Sequence, residues 1–128
     1  MQAILHYFLH FGFPLIIALV FFRKEWKRVY GILLATMLID LDHLFANPVF
    51  QADRCSIGFH FLHTYEAMIL YVLLLFLPKP FKVIGIGILF HLLTDLVDCL
   101  WMYSSCATCF TDAPAFPLLT FVARFLGI

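Results

Sequence analysis

Apolar runs of about 20 residues recur along the whole chain, and they constrain its fold more than any other feature. A helix needs a run of this length to cross a bilayer, so the pattern is typical of membrane spans. The sequence is 64% hydrophobic and only 12% charged, whereas a soluble domain carries roughly a quarter charged residues. The sequence therefore predicts an integral membrane protein and argues against a water-soluble domain.

The apolar runs predict four transmembrane helices within a single domain, residues 1–128. We expect an all-α, polytopic four-transmembrane-helix bundle, followed by a short C-terminal segment that is interfacial or re-entrant. The first run lacks the basic start and the small-residue cleavage site of a signal peptide. The predicted spans are residues 2–22, 29–46, 59–77 and 83–103, and the interfacial segment is residues 117–128.

Basic residues are divided unequally between the predicted loops. Loops 23–28 and 78–82 hold six Lys and Arg residues, against one in loop 47–58 and one in the tail. Cytoplasmic loops carry the excess of basic residues, so we expect the first two loops in the cytoplasm. Loop 47–58 and both termini are then outside, and the expected location is a bacterial inner membrane. The net charge of zero gives no reason to expect a nucleic-acid partner, and a small bundle is compatible with a homodimer.

The four cysteines all fall toward the predicted outer side. Cys55, Cys106 and Cys109 lie in outer segments, and Cys99 lies near the outer end of the fourth span. Cysteines in an oxidising compartment such as the periplasm tend to pair. A redox-active or zinc-binding Cys-x-x-Cys is the alternative, although the chain has no second such motif. We expect a structural disulfide from Cys55 to the Cys106–Cys109 segment.

Eleven ionisable residues fall inside the predicted spans, although each central charge costs on the order of 3 kcal/mol. Residues three or four apart share a helix face, so most of them form one polar stripe on each helix. Asp42 is the exception, because a regular α-helix points it nearly opposite Asp40. Most of the positions fall near the midplane or in the outer half of the bilayer, which predicts one shared site. The eleven are His6, His10, Asp40, Asp42, His43, His60, His63, Glu66, His91, Asp95 and Asp98.

Histidine and carboxylate side chains are the usual ligands of zinc, iron and manganese, and helical bundles project them inward. We therefore expect one or two divalent ions, with zinc first and iron or manganese as alternatives. Asp42 or Asp98 could accept a hydrogen bond from a ligating histidine, and His6 and His60 either support the ligands or only pack. The predicted metal ligands are His10, Asp40, Asp42, His43, His63, His91 and Asp95.

Three motifs combine histidine with aspartate or a second histidine: Asp40-x-Asp42-His43, His60-x-x-His63 and His91-Leu-Leu-Thr-Asp95. Together with a histidine in the first span, this set resembles the YdjM-like family of membrane-bound metal-dependent hydrolases. The likeness covers the chain from His10 to Asp98, with Ile39 where the family usually has proline and Phe61 where it has arginine. The resemblance implies metal-dependent hydrolysis, with ligands Asp40, Asp42, His43, His63, His91 and Asp95.

The leading hypothesis is a membrane-embedded metal-dependent hydrolase that acts on a lipid-borne or amphiphilic ester, preferably a phosphoester. The metal would activate a water molecule, and Glu66 or Asp98 would act as the general base. A transporter for divalent cations or protons is the second hypothesis, but it needs ionisable groups on both sides of the midplane. A di-iron oxidative enzyme is the third, although membrane enzymes of that kind carry more histidine-rich motifs. A purely structural role leaves the buried carboxylates unexplained.

Overall fold

The computed structural model describes residues 2–49, 51 and 54–127, and this part of the chain is all-helical without strands. The all-α prediction is therefore confirmed. Phe50, Ala52 and Asp53 of the predicted loop 47–58, and Met1 and Ile128 at the termini, lie outside the described residues. The helices are α1 (Gln2–Phe21), α2 (Trp26–Ala35), α3 (Tyr65–Leu74), α4 (Phe81–Ser105) and α5 (Phe116–Leu126). Short 3₁₀ helices cover Thr36–Phe45, which continues α2, Phe61–His63 and Ala107–Phe110.

Two of the described helices are long and apolar enough to cross a membrane, where the sequence predicted four. They are α1, with 20 residues, and α4, with 25 residues. Helix α3 has only 10 residues and α5 has 11, so each is shorter than the roughly 20 residues that a span needs. The predicted span 59–77 is interrupted at Thr64, whose backbone is extended and whose hydroxyl accepts a hydrogen bond from the Ala67 N–H. Thr64 therefore begins a new helix and does not continue the preceding one.

Helix α4 contacts α1, α2, α3 and α5, and two glycines in its first half allow the close approach. A Cβ atom at Gly85 would lie 3.0 Å from the Tyr71 carbonyl oxygen and 2.9 Å from Leu74 Cβ. A Cβ atom at Gly87 would lie 2.6 Å from Thr36 Oγ1. Because neither glycine has a side chain, α3 and the 3₁₀ helix Thr36–Phe45 can pack directly on α4.

The 3₁₀ helix Thr36–Phe45 is ten residues long, whereas such helices rarely exceed four residues. Its burial repeats every third residue, as three residues per turn require. The buried residues are Thr36, Ile39 and Asp42, and the exposed ones include Leu38, Leu41 and Leu44. About 120° separates Asp42 from Asp40 here, against roughly 160° in an α-helix. The expectation that Asp42 points nearly opposite Asp40 required a regular α-helix, and this backbone is a 3₁₀ helix.

An ion pair before the start of α4 and a disulfide in its second half each connect segments that are far apart in the sequence. Lys79 Nζ pairs with Glu25 Oε1, which joins the two basic loops, and this hydrogen bond lowers the pKa of Glu25 below its usual value. At the other end of α4, Cys55 is bonded to Cys99. Cys106 is bonded to Cys109, so the expected link from Cys55 to that segment is replaced by a link to the buried face of α4.

Candidate metal centre

Four side chains from three parts of the chain converge beside α4. Asp40 comes from the 3₁₀ helix that continues α2, His63 from the short 3₁₀ helix before α3, and His91 and Asp95 from successive turns of α4. One ligand atom from each residue lies within 4.8 Å of the others. His63, His91 and Asp95 are buried, whereas the Asp40 side chain is 42% exposed. We call these four residues the metal cluster.

Four nitrogen–oxygen distances within the metal cluster match the spacing of ligands around one small metal ion. His63 Nε2 lies 3.5 Å from Asp40 Oδ1 and 3.3 Å from Asp95 Oδ2. His91 Nε2 lies 3.1 Å from the same Asp40 oxygen and 3.4 Å from the same Asp95 oxygen. Zinc bonds of about 2.0–2.1 Å give a tetrahedron whose edges measure about 3.3–3.4 Å. The four nitrogen–oxygen distances therefore agree with ligand spacing around one such ion, and all four donor atoms lie within 4.8 Å of one another.

Two of these donor atoms have no hydrogen-bond partner among the described residues. His63 Nε2 and Asp95 Oδ2 are both buried and make no hydrogen bond, although they lie 3.3 Å from each other. A buried polar group without a hydrogen bond costs about 1–3 kcal/mol. A cation between the four side chains would satisfy both atoms and neutralise the two carboxylates. The unpaired atoms therefore favour a metal ion over a cluster held by hydrogen bonds alone.

Asp42 orients His63 from the side opposite the metal cluster. Its Oδ2 accepts a hydrogen bond from His63 Nδ1 at 3.0 Å and another from the backbone N–H of Leu62 at 2.8 Å. Because Nδ1 is the donor, the lone pair of His63 Nε2 points toward the metal cluster. Carboxylates in this position fix the ring of a metal-binding histidine and raise its basicity. Of the two roles predicted for Asp42, the geometry favours the acceptor over the ligand.

His43 and His60 form a stack beside the metal cluster, and neither belongs to it. Their ring centroids lie 3.7 Å apart, and the two nitrogens of His43 lie 3.1 Å from Asp42 Oδ1 and 3.1 Å from Ser56 Oγ. With Asp42 they form a second group of potential metal ligands. Both Asp42 oxygens and both His43 nitrogens already take part in hydrogen bonds, so these two residues do not need an ion.

Helix α1 brings His6 and His10 to another side of the metal cluster. His10 lies on a π-helical turn, Phe8–Gly12, a feature that is frequent at functional sites. Its Nδ1 donates to the His6 carbonyl oxygen at 3.1 Å, and its Nε2 lies 3.9 Å from Asp95 Oδ1. His6 Nδ1 pairs with Asp98 Oδ2. The predicted ligand His10 therefore lies next to the metal cluster and outside its four-atom set.

The structure does not bring the predicted base Glu66 to the site. Glu66 is exposed in the first turn of α3, and the ion pairs found in the described ranges do not include it. The sequence placed Glu66 and His63 on one helix face three residues apart. The extended backbone of Thr64 breaks that helix, so the shared face does not exist.

A cleft of about 450 Å³ opens beside the metal cluster. Its lining includes Asp40 and Asp95, the predicted base Asp98 with its partner His6, and the loop residue Arg54. The Arg54 guanidinium donates to the carbonyl oxygens of residues 48 and 49, at 2.7 Å each. Sequence reasoning did not select Arg54 as a site residue, because it lies in a loop without periodicity.

An apolar groove of about 410 Å³ runs between α2 with its 3₁₀ continuation, α3 and α4. Its lining includes Ile39 and Leu62, the chain neighbours of the metal-cluster residues Asp40 and His63, and Tyr71. The Tyr71 hydroxyl donates to the Leu62 carbonyl oxygen at 3.1 Å. The backbone that carries two cluster residues thus also forms part of the groove wall.

Comparison with known proteins gives a family without an assigned activity. The model of DUF6122, a family of unknown function, matches residues 1–102. This range includes the whole metal cluster, Asp42, and the His6–Asp98 pair. No curated protein and no solved structure matches the chain.

Proposed function

Because this chain belongs to DUF6122, a family of unknown function, we propose its function from the chemistry of the site. The proposed function is a membrane-embedded metal-dependent hydrolase that acts on a lipid-borne or amphiphilic ester, preferably a phosphoester. The observation that carries the proposal is the compact set of four donor atoms, two of them buried and without a hydrogen bond. The motif resemblance to YdjM-like hydrolases supports it further, and membership of DUF6122 is compatible with that resemblance.

The apolar surface supports a membrane location. The most apolar 18-residue window of α1 is only 17% buried, unlike the core helix of a soluble protein. Phe21, Phe45, Phe76 and Phe125 are between 75% and 91% exposed, and soluble monomers rarely expose apolar surface on this scale. A cleaved signal peptide does not account for α1, since its histidines contact residues of α4 at the site.

We infer that α2 with its 3₁₀ continuation forms one further span, and that α3, which is too short to cross alone, completes a four-span bundle together with the rest of the segment 59–77. An α-helix rises about 1.5 Å per residue and a 3₁₀ helix about 2.0 Å. Residues 26–45 therefore extend about 35 Å, which exceeds a hydrocarbon core of about 30 Å. The exposed leucines of the 3₁₀ helix form the stripe that lipid would contact. In this arrangement loops 23–28 and 78–82 are cytoplasmic, and the cleft opens to the outer side of a bacterial inner membrane.

In the proposed mechanism, Asp40, His63, His91 and Asp95 hold the ion, and zinc, iron and manganese are the candidates. When bound, a divalent ion lowers the pKa of a water molecule and polarises the scissile ester. A site with four protein ligands is typical of structural zinc. However, the half-exposed Asp40 side chain borders the cleft, which favours a site that accepts a further ligand from that side.

The other residues of the cleft and groove supply the remaining steps of the proposed reaction. Asp98 lines the cleft and is paired with His6, so it is placed to take the proton from the attacking water as general base. Arg54 would bind the anionic group of a phosphoester through its unused N–H donors. The apolar groove would hold an acyl chain of the substrate. This arrangement suits a substrate with a charged head and an apolar tail.

A carrier for divalent cations or protons would use the same residues as a pathway. Such a pathway needs polar groups toward the loops 23–28 and 78–82. In that direction the described residues form a buried apolar cluster of Ala18, Val29, Leu33 and Val83. This cluster counts against a continuous path, so we rank the carrier second. A di-iron oxidative enzyme ranks third, because the four-atom set has the size of a site for one ion.

The first experiment is elemental analysis of the detergent-purified protein by inductively coupled plasma mass spectrometry, before and after chelator treatment. We expect stoichiometric zinc, iron or manganese in the wild type and in Glu66→Gln, and its loss in Asp95→Asn, which removes a ligand charge. Glu66→Gln is the matched control, because it removes an exposed carboxylate of the same membrane domain. If reconstitution with all three metals leaves the wild type metal-free, the hydrolase is excluded and a proton pathway is favoured.

The second experiment measures hydrolysis of a chromogenic phosphodiester with an alkyl chain, presented in mixed micelles. We expect turnover that a chelator abolishes and that the metal found by elemental analysis restores. A protein that binds metal tightly but hydrolyses neither this phosphodiester nor a matched carboxylic ester would instead support the carrier.

A further inference from the structure

His10 and His91 each have one buried nitrogen without a hydrogen-bond partner in the described part of the chain, and both residues line one small cavity. His91 directs its Nε2 toward Asp40 and Asp95, so its Nδ1 lies on the far side of the ring from the metal cluster. His10 uses its Nδ1 to donate to the His6 carbonyl oxygen. The unpaired atoms are therefore His91 Nδ1 and His10 Nε2. The two rings are nearly perpendicular, with centroids 4.6 Å apart.

These two nitrogens have complementary hydrogen-bonding roles. A neutral histidine that binds a metal through Nε2 carries its proton on Nδ1, and this N–H needs an acceptor. A neutral histidine that donates from Nδ1 has its lone pair on Nε2. His91 therefore offers a donor and His10 an acceptor, but the structure contains no direct hydrogen bond between them. A group that both accepts and donates a hydrogen bond is therefore needed to connect His91 Nδ1 with His10 Nε2.

The cavity that both rings line has about the size of one water molecule, and its otherwise apolar wall contains four polar side chains. Its volume is about 10 Å³, and a single water needs roughly 10–15 Å³. Thr36 and Thr94 line it together with the two histidines. Their hydroxyl groups donate to the carbonyl oxygens of residues 33 and 90, which leaves both hydroxyl oxygens free to accept. A water here would have the two to four polar partners that buried waters typically have.

Gly87 keeps the Thr36 hydroxyl at this cavity. A Cβ atom at residue 87 would lie 2.6 Å from Thr36 Oγ1, so any larger residue would push the hydroxyl away. Gly87 also lines the cavity. The polar lining therefore depends on the same close approach of the 3₁₀ helix to α4 that positions Asp40.

We propose that a buried water in this cavity links the metal ligand His91 to His10. The water accepts a hydrogen bond from His91 Nδ1–H and donates one to His10 Nε2 and one to the hydroxyl oxygen of Thr36 or Thr94. His10 is then a positioning residue, which holds the ring and tautomer of His91 without touching the metal. The inference rests on the metal site of the proposed function and does not depend on hydrolysis.

The test compares zinc binding by His10→Gln and His10→Leu, measured in detergent by competition with a chelating dye. The amide oxygen of glutamine reaches about the position of Nε2 and accepts a hydrogen bond, whereas leucine has a similar size and no acceptor. We expect His10→Leu to weaken zinc binding about 10–100-fold, and His10→Gln to stay close to the wild type. Wild-type affinity in His10→Leu would overturn the proposal.

Two further readouts separate positioning from direct ligation and from a packing role. Cobalt-saturated wild type and both variants should show the same visible spectrum, because the four ligands are unchanged; an altered spectrum would make His10 a ligand. The metal-free His10→Leu protein should melt close to the wild-type temperature, because leucine has a similar size and the water keeps its hydrogen bonds to His91 and a threonine hydroxyl. A clear loss of stability in this metal-free variant would assign His10 to packing instead.

Nuclear magnetic resonance of zinc-loaded protein with ¹⁵N-labelled histidine tests the hydrogen bonds directly. We expect the Nδ1–H tautomer at both His10 and His91, and magnetisation transfer between His91 Nδ1–H and a long-lived water. An Nε2–H tautomer at His10, or a His91 proton without a water contact, would overturn the proposal. A protein that binds zinc without hydrolysing esters refutes the proposed function and leaves the water link standing. A protein that binds no metal refutes both.

Discussion

Asp40 and Asp42 are two positions apart and have different partners. Asp40 faces His63 Nε2 and His91 Nε2 and borders the cleft. Asp42 is buried and accepts hydrogen bonds from His63 Nδ1 and a backbone N–H. Residue type does not distinguish the two carboxylates, because either is a good ligand. The direction of the hydrogen bonds at His63 distinguishes them, since Nδ1 faces Asp42 and Nε2 faces the metal cluster.

Asp42→Asn should therefore weaken metal binding without removing a ligand. An amide still accepts a hydrogen bond from His63 Nδ1 but no longer raises the basicity of the ring, so we expect about a tenfold rise in the zinc dissociation constant. Dye competition measures it, and Asp112→Asn, which changes an exposed aspartate, is the control. Equal affinities of the two variants would show that Asp42 does not act through His63.

Asp98→Asn should separate metal binding from catalysis. Asp98 lines the cleft and lies outside the metal cluster, so zinc content should stay at the wild-type level. If Asp98 is the general base, kcat for the phosphodiester should fall about 10²–10⁴-fold. Elemental analysis and the micelle assay on one preparation measure both quantities. A variant that retains full turnover would remove Asp98 from the proposed mechanism.

The sequence indicated several residues that the structure brings together, but it did not indicate the backbone conformation on which their positions depend. His91 and Asp95 share a helix face four residues apart, and α4 is a regular helix there, so that pair could be inferred from spacing. Glu66 could not be excluded, because only the extended backbone of Thr64 shows that the helix begins after His63. The burial of Asp42 depends on a long 3₁₀ helix, for which the sequence gives no periodic signal distinct from an α-helix.

At the scale of helices, two glycines of α4 set the distances on which the metal cluster depends. Gly85 lets α3 approach α4, and Gly87 lets the 3₁₀ helix that carries Asp40 approach it. The 3₁₀ helix itself has one buried edge, one edge facing the cleft and one exposed leucine edge. Packing at these two glycines therefore brings the residues of the metal cluster together, although they are far apart in the sequence.

Gly85→Ala should destabilise the protein, because its Cβ would meet the Tyr71 carbonyl oxygen at 3.0 Å and Leu74 Cβ at 2.9 Å. We expect a loss of about 1–3 kcal/mol, as for other overpacked cores. Gly31→Ala is the matched control in a helix, since a Cβ there meets no atom within 4 Å. The control should be stabilising by up to about 1 kcal/mol from helix propensity. Thermal unfolding in one detergent measures both, and shifts of the same sign would contradict the packing argument.

At the scale of the whole molecule, the metal cluster joins segments that are far apart in sequence, and the Cys55–Cys99 disulfide holds two of them together. The bond links residues 44 positions apart. Cys55 precedes the segment that carries His63, and Cys99 follows Asp95 by about one turn of α4. The Cys106–Cys109 disulfide spans only three positions and joins no two parts of the site. The sequence predicted that the cysteines pair, but not which pairs form, because pairing depends on this three-dimensional proximity.

The double variant Cys55→Ser with Cys99→Ser should weaken zinc binding, while Cys106→Ser with Cys109→Ser should not. Without the first bond, metal binding must order the segment before His63, at roughly 1–2 kcal/mol per residue fixed. We expect about a tenfold or greater loss of affinity, which corresponds to ordering a single residue. Dye competition on both double variants measures it. Equal losses would show that the two disulfides contribute only general stability.

The 3₁₀ helix Thr36–Phe45 is wound more tightly than the α-helix it continues. If it relaxed to α-helical winding, each residue would turn about 20° less, so Asp42 would rotate by roughly 120° relative to Thr36. That rotation would carry both aspartates away from their histidines and shorten the segment. If the proposed ion is held by Asp40, it would oppose this unwinding, and metal binding would then be thermodynamically linked to the winding of the 3₁₀ helix. The same rotation would also move the exposed leucines of this helix, so binding of an ion would change the position of the apolar stripe on the surface of the protein.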